Sequence, residues 1–497
     1  MKFKVKDMDI ATGNTLVALL NLKDAAKFDL HVLDRIRIKK GRRQAEAVLD
    51  IGETRKAAPT GSIGLFEEAL KALNAKQGDI IDVCLAKKPL SLNYIKKKMD
   101  GGVLSEKEIK EIINDIVANR LNSIELTYFV SACYTHALNM KETILLIKAM
   151  TSCGSTLKLN KYPIIDKHCI GGVPGNRTTM IIVPIVAAAG LTIPKTSSRS
   201  ITSPAGTADT MEVLADVSLS LNQMKKVINK TNGCIVWGGS LNLAPADDKI
   251  IKVEKPLSID AESQLLASIM AKKMSVSSTH ILIDIPVGKG AKIESRNVAN
   301  KLKTDFENIS RRLKRKVKVM FSNGSQPVGN GIGPALEARD VLYLLKGDLR
   351  RPKDLEDKSL DMAGSILEMG KKAKKGEGRK LALRILKSGM AYKKMKDIIK
   401  AQNGKATEPE DIKLGKYVFN VTSRKSGKVK CINNKIISKI ARIAGAPVDK
   451  EAGIYLYKKV NDKVKKGEKL FIIYSESKEK LKFVKEVLKE DEGVVVK

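Results

Sequence analysis

The 497-residue chain is 43% apolar and 29% charged, the balance of a globular protein too long for one compact core. Its 91 basic against 55 acidic residues give a formal charge of +36, which raises nucleic acid as a partner. That charge is mostly lysine spread along the chain, and aromatics are only 4%, so a solvated surface that attracts anionic substrates is the better reading and no nucleic-acid partner is expected. Six cysteines without CxxC spacing and four scattered histidines argue against a zinc centre or a disulfide framework. The apolar run 181–189 is far too short to cross a membrane, and the N-terminus lacks a signal-peptide core, so a cytoplasmic protein with no metal and no membrane partner is expected.

Residues 1–88 read as a separate β-rich domain. Lys2-Phe-Lys-Val-Lys and Leu30-His-Val-Leu-Asp-Arg-Ile-Arg-Ile alternate apolar and polar at the strand period. Nothing there forms a catalytic constellation, so an assembly role is expected. From Lys96 the pattern turns helical. Ser105 with Glu108, Asn122 with Glu125 and Asn139 with Glu142 each place a cap residue three before a carboxylate. Three short amphipathic helices should follow, ending at Gly154. A helix over 180–190 and strand-like Cys234-Ile-Val-Trp, Ile281-Leu-Ile-Asp-Ile and Val317-Lys-Val-Met-Phe then argue for an α/β domain with a largely buried sheet. Residues 370–379 read as an exposed connection. From about residue 411, Gly453-Ile-Tyr-Leu-Tyr and Lys469-Leu-Phe-Ile-Ile-Tyr return to short strands before a final helix.

The chemistry concentrates in two loops around the 180–190 helix: Asp166-Lys-His-Cys-Ile-Gly-Gly-Val-Pro-Gly-Asn-Arg and Ser197-Ser-Arg-Ser-Ile-Thr-Ser-Pro-Ala-Gly-Thr. Glycines admit close approach of a ligand, hydroxyls and amides donate, and Lys167, Arg177 and Arg199 bring positive charge, which together suit an anion. Two such loops suggest a substrate with more than one anionic group. Asn330-Gly-Ile-Gly-Pro lacks the GxGxxG spacing and no GxxxxGK[ST] occurs, which disfavours a dinucleotide loop and ATP-dependent phosphoryl transfer.

These loops, with Leu243-Ala-Pro-Ala-Asp247, Ala267-Ser-Ile-Met-Ala-Lys-Lys273 and Gly333-Pro-Ala-Leu-Glu-Ala-Arg339, resemble the thymidine/pyrimidine-nucleoside phosphorylase family in the family's order, over roughly residues 90–497. The resemblance implies a helical domain and an α/β domain closing over a cleft, with phosphate attacking the anomeric carbon of a nucleoside. The expected architecture is α/β and multidomain: a β-rich domain 1–88, a helical domain 89–160 joined by 244–275, an α/β phosphate-binding domain of 161–243 and 276–410, and an α+β C-terminal domain 411–497. Gly171-Gly-Val-Pro-Gly-Asn, Lys195-Thr-Ser-Ser-Arg-Ser-Ile-Thr-Ser, Pro286-Val-Gly-Lys-Gly-Ala-Lys292 and the extra N-terminal domain resemble the family's archaeal AMP phosphorylase branch. That branch implies a pentosyltransferase of nucleotide degradation, converting AMP and phosphate to adenine and ribose 1,5-bisphosphate, with CMP and UMP as further substrates. It implies inorganic phosphate as co-substrate, no cofactor, and a homo-oligomer that is at least a dimer formed through the helical domain.

Carried over by position, Lys167, His168, Thr179, Ser197 and Thr207 would hold phosphate. Gly172, Ser198, Arg199, Ser200, Ile201, Thr202, Ser203, Thr207, Ser268, Lys272 and Lys292 would hold the nucleotide. Ser268 and Lys272 lie one helical turn apart on one face. The family's base-reading arginine falls on Val253, a loss of a charged donor that weakens pyrimidine readout by about 1.5–3 kcal/mol. Lys292 stands where the nucleoside enzymes carry an aromatic, and added charge suits a 5′-phosphate. Asp260 reads from its position as a helix-start cap; the resemblance makes it the proton donor to the leaving base, which needs a raised pKa. Cys169 replaces the family's phosphate-contacting serine with a weaker donor, and no His–Asn/Asp partner set makes it a nucleophile. Two alternatives stand beside this reading: a thymidine or pyrimidine-nucleoside phosphorylase, and a non-catalytic basic RNA-binding protein.

Overall fold

A computed structural model describes all 497 residues except Asn14, Thr15, Arg55, Ile201, Thr202, Ser258, Asp260, Lys405 and the side chain of Lys255. The chain divides into two compact units, one of Met1–Cys153 with Ala244–Ser268, the other of Gly154–Leu243 with Ile269–Lys497. Among the described residues, no helix is long and apolar enough to cross a membrane.

The first unit opens with a closed barrel. Strands Lys2–Asp7, Ser62–Leu65, Val17–Asn21, Arg43–Gly52, Arg35–Lys40 and Ile80–Leu85 pair in that order, and the last pairs back with the first. Alternation sends Phe3, Val5, Ile36 and Ile38 inward and leaves Lys2, Lys4, Arg37 and Lys39 in solvent. Closure removes the free edges that a short sheet would otherwise expose. The strand expected from Leu30 begins only at Arg35. Asp34 instead accepts the His31 N–H at 2.7 Å, and Leu33 sits at φ 71°, closing a turn that the alternation of polarity does not register.

Helices Ser91–Met99, Glu106–Val117, Ser123–Thr135 and Met140–Ser152 follow, the first starting ahead of Lys96. All three expected starts form reciprocal capping boxes. Two of the capping carboxylates also hold the unit together. Glu125 ion-pairs with buried Arg35 of the barrel. Glu142, itself buried, accepts from the Leu104 and Asn139 N–H groups, each at 2.8 Å, and faces buried Lys98 at 3.1 Å. Lys249, on helix Pro245–Leu257, donates to the Ile116 and Val117 carbonyls at 2.9 and 2.6 Å, where the C-terminal dipole favours a cation.

The second unit is built on parallel strands. Lys316–Asn323, His280–Val287 and Ile165–Cys169 form one sheet, Ile193–Ser197 and Gly233–Trp237 another, and an Ile164–Thr192 bridge links the two. Helix Thr178–Ala188 is apolar all round and therefore central. It packs against helices Lys353–Met369 and Met390–Ala401. The short strand Gly331–Ile332 pairs with Gly453–Leu456, so the sheet of the C-terminal region, which also holds Lys469–Ser475 and Tyr417–Thr422, recruits a piece of the preceding domain.

Removing the partner of a buried charge costs about 3–5 kcal/mol. Lys98→Met should strand Glu142 and lower the first unit's stability by that amount in urea unfolding. An unshifted transition would mean that the two N–H donors alone satisfy the carboxylate.

Candidate active site

The five parallel strands of the second unit share one direction, so the loops that follow them gather at one edge, where sheets of this kind bind ligands. Those loops are residues 170–177, 198–206, 238–241, 288–292 and 324–330. Close backbone packing fixes them. Gly172 has φ 86°, and a Cβ there would lie 2.2 Å from the Lys292 nitrogen. A Cβ on Gly206 would lie 2.6 Å from the Ser198 carbonyl oxygen. Only glycine permits either approach. Asp209 then ties down the second loop, accepting from the Ser200 and Gly206 N–H groups at 2.7 and 2.8 Å.

Strand alternation puts Asp166 and His168 on one face of their strand and Lys167 and Cys169 on the other. Each face carries a buried, lysine-rich cluster. On the first, Asp166 Oδ2 faces Lys273 Nζ at 2.8 Å and accepts from Ser278 Oγ at 3.3 Å. Its Oδ1 accepts the Lys167 N–H at 2.7 Å and lies 3.9 Å from Lys195 Nζ. Burial, then the neighbouring Lys273, lowers the Lys195 pKa to about 7. Burial and the positive charge of Lys273, Lys195, Lys167 and Lys272 push His168 well below its ordinary value, so its imidazole is neutral.

On the second face, Lys167 Nζ donates to Thr178 Oγ1 at 2.8 Å, at the start of the central helix. Asp284 accepts from Ser322 at 2.6 Å and faces Lys358 at 3.2 Å. Burial works to raise the Asp284 pKa, but Lys358 and Lys167 hold it below the ordinary range. Burial and Asp284 push the Cys169 thiol up to about 11, leaving it protonated beside Asn176, whose amide nitrogen is 3.3 Å away. A thiolate nucleophile is disfavoured there.

The two arginines of the loops face carboxylates of their own. Arg177 pairs with buried Glu337 and donates to Thr207 Oγ1 at 2.9 Å and the Ala205 carbonyl at 2.8 Å, tying one loop to the other. Arg199 stacks on Trp237 and pairs with Glu212 and Asp209. The expectation that these guanidiniums bring net charge to a ligand is therefore corrected. The surplus is in Lys167, Lys195, Lys273 and Lys358, four lysines against the carboxylates Asp166 and Asp284.

The edge gathers Lys167, His168, Gly172, Thr179, Ser197, Ser198, Arg199, Ser200, Ser203, Thr207 and Lys292. Thr179 is buried in the first turn of the central helix, and Ser197 Oγ is buried with no hydrogen-bond partner among the described residues. Ser200 and Ser203 turn their hydroxyls onto the carbonyls of Ser203 and Ala205. Helix Glu262–Ser275 carries Ser268 in the first unit and Lys272 in the second, and Ser268 donates to Asp247 Oδ2 at 2.9 Å. Ile201, Thr202 and Asp260 lie outside the described residues. The roles of Asp166, Lys195, Lys273, Asp284 and Lys358 escaped sequence reasoning. Only the position of Asp166, Lys195 and Lys273 inside quoted motifs signalled them.

Three stretches match known families: residues 92–154 the glycosyl transferase family helical bundle domain, 161–392 that family's a/b domain, and 428–492 the pyrimidine nucleoside phosphorylase C-terminal domain. Over 482 residues the chain is 47% identical to AMP phosphorylase of Pyrococcus furiosus, covering 97% of this chain and 95% of the relative. The chain belongs to the thymidine/pyrimidine-nucleoside phosphorylase family. Another relative in this family, provisionally named a thymidine phosphorylase in Legionella pneumophila, is 44% identical over 465 residues, 94% of this chain and 89% of its own. The crystal structure of anthranilate phosphoribosyltransferase from Thermus thermophilus shares the fold, with TM-score 0.53 and 18% identity over 62% of this chain and 99% of its own.

For this member of the phosphorylase family, Gly172→Ala should displace the first loop from Lys292, and a shift of about 1 Å at a positioning element costs on the order of 100-fold. Phosphate-dependent kcat/KM measures it. Wild-type turnover in the variant would mean that the two loops do not act together.

Proposed function

We propose that the protein is a pentosyltransferase that cleaves AMP with inorganic phosphate, releasing adenine and ribose 1,5-bisphosphate. The observation that carries this reading is the lysine-rich, hydroxyl-lined edge of the parallel sheet, in a chain that aligns over nearly its whole length with an AMP phosphorylase. In this reading, phosphate sits at the first loop with Lys167, His168, Thr179, Ser197 and Thr207. The nucleotide lies along residues 198–203 with Gly172, Ser268 and Lys272, and its 5′-phosphate is met by Lys292. Bringing together two anions that repel each other in water supplies much of the rate enhancement, and electrostatic stabilisation of a ribosyl cation-like transition state the rest. Asp260 donates the proton that makes adenine a neutral leaving group. Neither a metal nor a cofactor is needed.

CMP and UMP fit the same phosphate contacts. Thymidine phosphorolysis is the second reading, favoured by the Legionella relative and disfavoured by half-buried Val253, whose side chain cannot hydrogen-bond a base. We also place the enzyme in the cytoplasm as at least a homodimer, without nucleic-acid or membrane partners. Ile124 and Tyr128, one turn apart on helix Ser123–Thr135, are 58% and 50% exposed and suit such an interface. Sedimentation as a monomer would count against the dimer.

One assay tests the chemistry. With phosphate, the wild type should convert AMP to adenine and ribose 1,5-bisphosphate much faster than it cleaves thymidine. Asp260→Asn should lose on the order of 100-fold or more in kcat, in the range expected for a general acid. A preference for thymidine overturns the substrate, and a near wild-type rate in the variant overturns the proton donor.

A further inference from the structure

The phosphate reading does not use Lys195, which is 5% exposed on the strand leading into the second loop. Its strand face continues to Ser197, whose buried hydroxyl has no hydrogen-bond partner among the described residues. Beside it, Asp166 is almost fully engaged. Lys273 lies 2.8 Å from Oδ2, Ser278 adds a contact at 3.3 Å, and the Lys167 N–H takes Oδ1 at 2.7 Å. Lys195 Nζ is left at 3.9 Å from Oδ1, donates to the Thr196 carbonyl and meets Lys273 side chain to side chain. A neutral amine satisfies that arrangement, accepting from the Lys273 ammonium while donating to the carbonyl. A second ammonium would face Lys273 with only part of a carboxylate to offset it.

We infer that Lys195, held between Lys273 and Asp166, couples the binding of inorganic phosphate to the uptake of one proton. The inference rests on the reading that phosphate is the co-substrate of this site. As the dianion seats above His168, the Lys195 nitrogen lone pair takes a proton from solvent and becomes an ammonium. No bond of the phosphate changes. The charged and titratable groups facing Lys195 are Asp166, Lys167 and His168 on the adjacent strand, Lys273 on the helix, and Cys234 on the paired strand. Asp166 and Lys273 pair at 2.8 Å, while burial keeps His168 neutral and the Cys234 thiol protonated. With its pKa near 7, Lys195 already carries its proton well below that pH, so binding takes up none there, and uptake approaches one proton well above it.

Calorimetric titration of the intact protein with inorganic phosphate near pH 8.5 (phosphate is then already the dianion), in two buffers of different ionisation heat, reads the uptake directly. The wild type should take up close to one proton, and its Kd should rise about tenfold from pH 8 to pH 9. Lys195→Met should bind more weakly, with neither uptake nor pH slope. Lys195→Arg, permanently charged, should bind without a slope and regain affinity. Wild-type binding without uptake overturns the inference, as does a Lys195→Met variant that keeps the wild-type slope. AMP binding with no phosphate binding at all overturns the phosphorolysis reading and this inference with it.

Discussion

A carboxylate with no access to solvent must be surrounded by donors, and Asp166 is the one on which the site is assembled. Its partners come from four places: the next residue's backbone, Lys195 on the neighbouring strand, Lys273 on helix Glu262–Ser275, and Ser278 just beyond that helix. Satisfying one buried anion therefore fixes the relative positions of the strand that opens the first loop, the strand that opens the second, and the end of the helix that carries Lys272. The donor-rich loops only decorate that arrangement. Their glycines allow backbone to meet backbone, as Gly172 does at Lys292, but the strand ends to which the loops are tied are held by Asp166.

What the sequence reveals follows the range of the interaction. The three helix starts were legible because a capping box is complete within four residues, so Asn139 and Glu142 carry the whole signal. The central helix was legible because it is apolar on every side. The turn at residues 31–34 was not, since an aspartate accepting from a backbone N–H three residues earlier leaves the polar–apolar alternation intact. The barrel's closure was equally hidden, because it depends on pairing Lys2–Asp7 with Ile80–Leu85 across most of the domain.

The same limit shaped the reading of the site. Residue types named the loops correctly as donor-rich and basic, yet the sign of the local charge depends on partners far along the chain. Glu337 neutralises Arg177 from another segment altogether, and Glu212 meets Arg199 only because the loop folds back over the helix after it. Lys195 looked like one more residue of a motif. Its meaning comes from Lys273, which no spacing rule brings beside it. Motif order gave the location of the chemistry, and the buried pairs gave its electrostatics.

A consistent division between arginine and lysine emerges from those pairs. A guanidinium cannot shed its proton, so a buried one must be matched permanently by a carboxylate. Buried Arg177 is matched in that way, half-buried Arg199 likewise, and both serve to brace the loops. An ammonium can relax by losing its proton when desolvated, which allows lysines to outnumber carboxylates beneath the loops while the site is empty. An arriving anion then changes the balance: the charge that was costly without a counter-ion becomes favourable with one. Lysine on these strands is thus a store of positive charge that the ligand itself calls up, whereas arginine in the same places would carry its charge, and the cost of burying it, whether or not phosphate is bound.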